Sequence, residues 1–221
     1  MIARILFASV ALALLPAAAA TCESLRKLSL PDTTITTADL VSGGSFKAPG
    51  VPQAIANLPS VCRVVGTIRP SKDSDIQFEV WMPASGWNGK FFGVGNGGFA
   101  GAISYTGLAS AIRESYAAAS TDTGHQLDGD DASWALNHPE KIVDFGYRAT
   151  HETAVKSKAV VREFYSDKPK QSYFSSCSNG GRQALMEAQR YPEDYDASSL
   201  AIRPAIGRIC CQWRHPMYTR R

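Results

Sequence analysis

At 221 residues the chain is long enough for one ordinary domain with a sizeable core. Its 23 basic against 20 acidic residues leave a formal net charge of +3, which is too balanced to indicate nucleic acid or an anionic membrane as partner. An apolar content of 44% with 18 glycines fits a loop-rich globular protein and excludes a disordered one.

The first twenty residues carry a charge near Arg4, an apolar run from Ile5 to Leu15, and the small residues Ala18-Ala19-Ala20 before Thr21. That order is expected of a cleavable secretory signal over residues 1–20, and the run is too short to span a bilayer comfortably. The remaining chain is therefore expected to be secreted or periplasmic, in an oxidising compartment and free of the membrane. Its five cysteines are Cys22, Cys62, Cys177, Cys210 and Cys211, and none has the paired short spacing of a zinc site. Cys22 and Cys62 flank the first mature segment and could pair.

Residues 22 to about 60 are rich in Thr, Ser and Pro, with turn signals at Ser42-Gly43-Gly44 and Pro49-Gly50. Val61 to Ile68 reads as a strand, and the alternation of Ile76, Phe78, Val80 and Met82 reads as its antiparallel partner around a turn at Pro70 to Asp75. Lys90 to Val94 is a short buried strand running into glycine-rich Gly95 to Gly98. A helix over Leu108 to Ser115 and a strand over Tyr116 to Ser120 follow. Asp144 to Tyr165 is the longest helical stretch, with Tyr147, His151, Ala154, Val155, Ala159 and Phe164 near one face. Ser172 to Ser176 is the next strand, and Gly181 to Tyr191 the next helix. Strands alternating with helices predict an α/β fold, a mostly parallel sheet with helices on both faces.

Ser176-Cys177-Ser178-Asn179-Gly180 carries the chemistry. A strand runs into a serine flanked by small residues and directly into a helix, which is the layout of a nucleophile elbow. The usual first glycine is here Ser176. Asn179 then places a backbone N–H to bind a developing oxyanion, and Gly180 and Gly181 let the helix approach the strand. The alternative is a glycine-rich strand-to-helix turn with no chemistry. A second oxyanion donor is expected from the loop after an earlier strand, and Gly95-Asn96-Gly97-Gly98-Phe99-Ala100-Gly101 supplies one at Gly97 and Gly98. Gly93-x-Gly95-x-x-Gly98 also matches a dinucleotide fingerprint, but the acidic residue that should end the next strand is missing.

Phe91 to Gly101, Ser120-Thr121-Asp122-Thr123-Gly124-His125, Asp144-Phe145-Gly146-Tyr147-Arg148 with His151, and Tyr173 to Asp196 together resemble the tannase and feruloyl esterase family. The closest signature is Cys177-Ser178-Asn179-Gly180-Gly181-Arg182-Gln183, continuing through Glu187-Ala188-Gln189-Arg190-Tyr191-Pro192. The resemblance runs from about Cys22 to Asp196. It implies an α/β-hydrolase fold and a small-molecule substrate, a phenolic ester such as a gallate or hydroxycinnamate ester. Ser178 would be the acyl-forming nucleophile. Cys177 would be one half of a disulfide to a cysteine beside the catalytic histidine. The family's substrate lid, with a structural calcium, lies beyond the elbow, so no cofactor or metal is expected within these residues.

A triad of this type runs Ser, Asp, His in chain order. After Ser178 the sequence offers Asp194, Asp196 and His215. The two aspartates terminate the elbow helix and read as solvated carboxylates, and His215 has no strand-loop context. Without a base the serine hydroxyl stays a weak nucleophile, so the chain as written is expected to be inactive. The alternative is a non-catalytic secreted binding protein for aromatic esters.

From Ala197 onward the chain has five arginines, no lysine and no acidic residue, unlike the family's strand resembling Asp-Gly-Ile-Val-Ala-Gly-Asn-Pro-Ala. Ala197 to Arg203 can be encoded GCA TCG TCG CTG GCA ATC CGN. One restored G gives GGC ATC GTC GCT GGC AAT CCG, which reads Gly-Ile-Val-Ala-Gly-Asn-Pro. The expectation is a single-base slip near codon 197, with residues 21–196 the front part of the catalytic domain and 197–221 a non-family tail. A truncated parallel sheet leaves an unpaired edge, so poor folding is expected. His125 reads as a hydrogen-bonded loop histidine, Asp128 to Asp131 as a solvated acidic turn without the spacing of a calcium loop, and His138 and His151 as positions without metal-pair spacing.

Overall fold

Pairing of β-branched and aromatic segments builds one large sheet. The computed structural model describes residues 20–202 and 209–214, so the leader-like residues 1–19 and His215 lie outside the described residues. The strands are β1 (Thr33–Val41), β2 (Gly44–Phe46), β3 (Ile55–Leu58), β4 (Val61–Ile68), β5 (Ile76–Pro83), β6 (Lys90–Val94), β7 (Ala117–Thr121), β8 (Gln171–Cys177), β9 (Ala197–Ile202) and β10 (Ile209–Arg214). The α-helices are α1 (Tyr105–Arg113), α2 (Pro139–Val143), α3 (Ala149–Tyr165) and α4 (Asn179–Arg190). Eight strands form a sheet in the order β1-β4-β5-β7-β6-β8-β9-β10, and β2 pairs with β3 apart from it. The centre, β7-β6-β8-β9, is parallel, and the antiparallel β1, β4 and β5 flank it on one side.

The antiparallel pair read from the sequence is β4 and β5, in register from Val61 opposite Pro83 to Ile68 opposite Ile76. The segment before it holds strands that its Thr and Pro content concealed. β1 is an edge strand whose side chains are half-buried or exposed apart from Ala38, with a register shift between Ile35 and Thr37, and its threonines leave no apolar alternation to read. A Cys22–Cys62 disulfide fastens this front segment to β4. Closing a loop of 40 residues is worth about 4 kcal/mol on a chain-entropy argument.

Period-two alternation divides the core into two layers. Along β7, Ala117 and Ala119 face a cluster with Phe78, Phe91 and the α3 residues Ala154, Val160 and Val161. Ala118 faces the opposite cluster, with Trp81, Val94 and the α1 residues Leu108 and Ile112. Helices therefore cover both faces. The long helix begins at Ala149 rather than Asp144, because residues Asp144–Arg148 form a wider turn held by Arg148 Nε donating to Asp144 Oδ1 at 2.6 Å. Its buried face is Ala149, Thr153, Ala154, Ser157, Val160 and Val161, while Val155 is exposed. The expected apolar stripe was misplaced because small and hydroxyl side chains, which permit close helix-sheet approach, take the inner positions.

One buried carboxylate welds α1 to the sheet. Glu79 accepts from Arg63 Nε at 2.8 Å, Trp81 Nε1 at 2.9 Å and the Tyr105 hydroxyl at 2.9 Å. A second, Asp122, follows β7 and accepts from the backbone N–H groups of Gln77 and Gly124, both at 2.9 Å. Burial outweighs those donors and pushes the Asp122 carboxyl from 3.8 up to about 7. Between pH about 4 and 7 the folded chain therefore keeps a proton that the unfolded chain has released, and stability falls as pH rises across that window. Asp122→Asn removes this proton exchange. Urea unfolding at pH 5 and pH 7 should show the variant gaining on the parent by about 1 kcal/mol per pH unit, with a pH-independent difference contradicting the assignment.

Candidate active site

The C-terminal end of β8 delivers Ser178, the residue immediately before α4, with φ 60° and ψ −120°. A non-glycine residue in that region is strained by about 1–3 kcal/mol and persists only where the surroundings over-determine it. Three contacts do so. Gly180 lies so close to β8 that a Cβ there would sit 1.9 Å from Ser176 Oγ and 2.9 Å from the Asn96 carbonyl oxygen. Gln183, one turn into α4, accepts from the Asn96 N–H at 3.0 Å and donates through Nε2 to Asn96 Oδ1 at 3.2 Å. Arg182 donates to Asn179 Oδ1 at 2.6 Å and to the carbonyls of Phe145 and Gly146 at 3.0 and 2.6 Å.

These contacts bring the glycine loop after β6 against the first turn of α4. Asn96 is buried, and its Nδ2 donates to the carbonyls of Ala102 and Thr121 at 2.7 and 2.8 Å, which fixes the loop. Gly98 adopts φ 54° with its α-carbon against the Gly129 carbonyl, where a Cβ would meet that oxygen at 2.3 Å. Gly97 and Gly98 are exposed, and a hollow of about 240 Å³ opens along Gly95, Asn96, Gly97 and Ala100. Among the described residues neither amide has a backbone acceptor, and the Asn179 N–H, first in its helix, has none within α4. The Ser178 side chain is exposed. The structure thus brings Ser178, Asn179 and the Gly97-Gly98 loop to one edge of the sheet.

Other residues singled out in the sequence fall elsewhere. Cys177 is half-buried with a free thiol among the described residues. His125 has a buried ring that stacks on Trp134 at 4.0 Å beside Phe145, with the Phe99 and Thr123 main chain next to its nitrogens. Burial lowers its pKa. Asp128 to Asp131 are exposed, as expected of an acidic turn, and Asp131 accepts from the Ser133 N–H. His138 pairs with Asp73 at 2.7 Å on the surface.

Asp194 departs most from its expected role. It is buried, not solvated, and Oδ2 meets His151 Nδ1 at 2.6 Å. The turn after α4 folds Asp194 back toward α3 because its own N–H bonds the Tyr191 carbonyl. Asp196 is exposed and binds the Ser172 N–H. The His151–Asp194 pair lies beside Glu187, about 14 Å along α4 from Ser178 at 1.5 Å per residue, so it cannot serve that serine.

Sequence reasoning missed Asn96, Arg182 and Gln183 as the parts that hold the elbow. Arg182 and Gln183 stand inside the signature motif, but only the fold shows what they grip. The paired prediction is that Gly180→Ala costs about 3 kcal/mol by overpacking, whereas Ser178→Gly stabilises by about 1 kcal/mol by relieving the strained φ. Urea denaturation of both variants checks this, and equal small effects would remove the strain argument.

A serine on a strained strand-to-helix turn at the end of a central parallel strand, beside a glycine loop with exposed amides, defines an α/β-hydrolase-type fold. The family model described as tannase and feruloyl esterase matches residues 62–218, past the Asp196 limit of the motif resemblance, and the chain belongs to that family. An uncharacterized esterase of Xanthomonas campestris pv. campestris is 47% identical over 193 residues, covering 87% of this chain and 33% of that protein. A probable feruloyl esterase B-1 of Aspergillus fumigatus is 39% identical over 153 residues, 69% of this chain and 28% of that one. The crystal structure of feruloyl esterase B from Aspergillus oryzae superposes with a TM-score of 0.75 at 30% identity, over 80% of this chain and 35% of that one. The chain thus spans about a third of the length of the curated relatives it matches.

Proposed function

We propose that Ser178 is the nucleophile of a secreted carboxylic ester hydrolase that cleaves phenolic esters through an acyl-serine intermediate. The observation that carries this reading is the backbone of Ser178, bent to φ 60° and ψ −120°, which holds an exposed hydroxyl where no packing need explains the strain. The family and the feruloyl esterase relatives support a hydroxycinnamate ester as first substrate. Ser178 Oγ forms a bond to the ester carbonyl carbon, and the carbonyl oxygen takes up negative charge facing the amides of Asn179 and of Gly97 or Gly98. The oxyanion collapses, the carbon–alkoxide bond breaks, and the alcohol leaves with the proton that the serine gave up. Secretion is supported by the leader-like first twenty residues and by the Cys22–Cys62 disulfide.

That proton needs a base. Among the described residues no histidine nitrogen bonds the Ser178 hydroxyl: His151 and His138 bond aspartates, and His125 is packed among aromatic rings. On this reading the described residues alone acylate slowly and do not turn over. Losing triad partners leaves a residual on the order of 10³–10⁴ over water, from the oxyanion donors and binding. The reading also holds that the codons from 197 on are one base out of frame. Resequencing across codons 190 to 221 should recover the missing base, and an unchanged frame would reject the slip.

Prolonged incubation with p-nitrophenyl ferulate, followed by peptide mass mapping, tests the nucleophile. A feruloyl adduct should accumulate on the Ser178 peptide, be absent in Ser178→Ala, and release no more product per chain than one acylation. Adducts confined to lysines would overturn the nucleophile reading. Steady turnover that Ser178→Ala abolishes would overturn the missing base.

A further inference from the structure

A second polar cluster stands at the far end of α4, away from the hydroxyl edge. His151 on α3, Glu187 on α4 and Asp194 in the following turn each present one donor atom, and these atoms lie within 4.8 Å of one another. Glu187 is 1% exposed, and among the described residues no N–H or hydroxyl donor reaches its carboxylate oxygens. A buried carboxyl group without partners carries a desolvation cost that something at the site must offset. Asp194 Oδ2 meets His151 Nδ1, and the Glu187 carboxyl lies against Asp194, two acidic groups whose closeness a shared proton or a cation must reconcile.

Among the described residues Lys158 answers the cluster by charge but not by a side-chain hydrogen bond. Lys158 Nζ donates to the Asp194 backbone carbonyl and sits over the rings of Phe91 and Tyr195 at 5.9 and 5.2 Å. Its hydrogen bond goes to the main chain and leaves both carboxyl groups of the cluster. The imidazole is already oriented, because its ring stacks on Tyr191 at 3.7 Å with 11° between the planes. The His151 side chain is about a quarter exposed, 26%, so solvent reaches the cluster from that side.

We propose that His151, Glu187 and Asp194 form a binding site for a divalent cation of the zinc type, stapling α3 to α4. One imidazole nitrogen and two carboxylate oxygens suit a borderline ion, with water in the fourth position at the open side. Bonds of about 2.0–2.2 Å place tetrahedral donors roughly 3.4 Å apart, so the His151–Asp194 pair, now 2.6 Å apart, opens to admit the ion while the Glu187 oxygen stays within reach. The staple joins α3, which packs on β7, to α4, which packs on β8, and so acts on the stability of the elbow rather than on its chemistry.

The test uses the full chain with Cys177, Cys210 and Cys211 replaced by serine, so that free thiols do not compete. After treatment with a chelator, ZnCl₂ is titrated and followed by calorimetry and by metal analysis of the desalted protein. One zinc ion per chain is expected, with at least tenfold weaker binding in His151→Ala and in Glu187→Gln and unchanged binding in His138→Ala. A stoichiometry near zero, or equal binding in all variants, overturns the site. Should the variants fail to fold, the Co²⁺ form of the parent decides by proton NMR: one far-shifted imidazole N–H supports the site, and none overturns it.

Discussion

The backbone of Ser178 is the constraint on which the active edge depends. A φ of 60° is unfavourable for serine, and the turn holds only because β8 enters it from a fully paired central position and α4 leaves it at once. That abrupt turn requires a residue without a side chain at Gly180, since Ser176 and Asn96 occupy the space a Cβ would need. The same closeness lets Gln183 reach Asn96 and lock the glycine loop against the helix start. Strand, turn, helix and loop are therefore one mechanical unit, and the exposed hydroxyl and amides are its consequence.

Much of this was legible from residue order. The hairpin, the central strands and the elbow follow from alternation, glycine placement and a serine between strand and helix. Ser178, Asn179, Gly97 and Gly98 share a sheet edge because β6 and β8 are parallel neighbours and both end there. Less legible was whatever depends on contacts between distant segments. β1 hid behind threonines, and the α3 stripe was misplaced because alanine, serine and threonine carry little apolar signal yet take the inner positions. No spacing rule joins His151 to Asp194, which are 43 residues apart. Their meeting needs the turn after α4 to fold back on α3.

The two ends of α4 divide the labour. Its first turn follows the proposed nucleophile, and its last turns bring Glu187 into a buried polar knot with Asp194 and His151 against α3. Burial and the neighbouring Asp194 raise the Glu187 pKa, and burial lowers that of Lys158, so the knot is held by desolvated groups rather than by a simple surface ion pair. β9 continues the parallel order beside β8, from Ala197 opposite Tyr173 to Ala201 opposite Cys177. The sheet thus flanks β8, the strand that leads to Ser178, on both sides, with β6 on one and β9 on the other.

A crystal structure of the chain after reaction with a phosphonate ester tests the central claim most directly. The account predicts phosphorus bonded to Ser178 Oγ, with one phosphonyl oxygen about 2.7–3.1 Å from the Asn179 amide and from an amide of Gly97 or Gly98. A phosphonyl oxygen turned to solvent, or an adduct on another residue with Ser178 left unmodified, would contradict it.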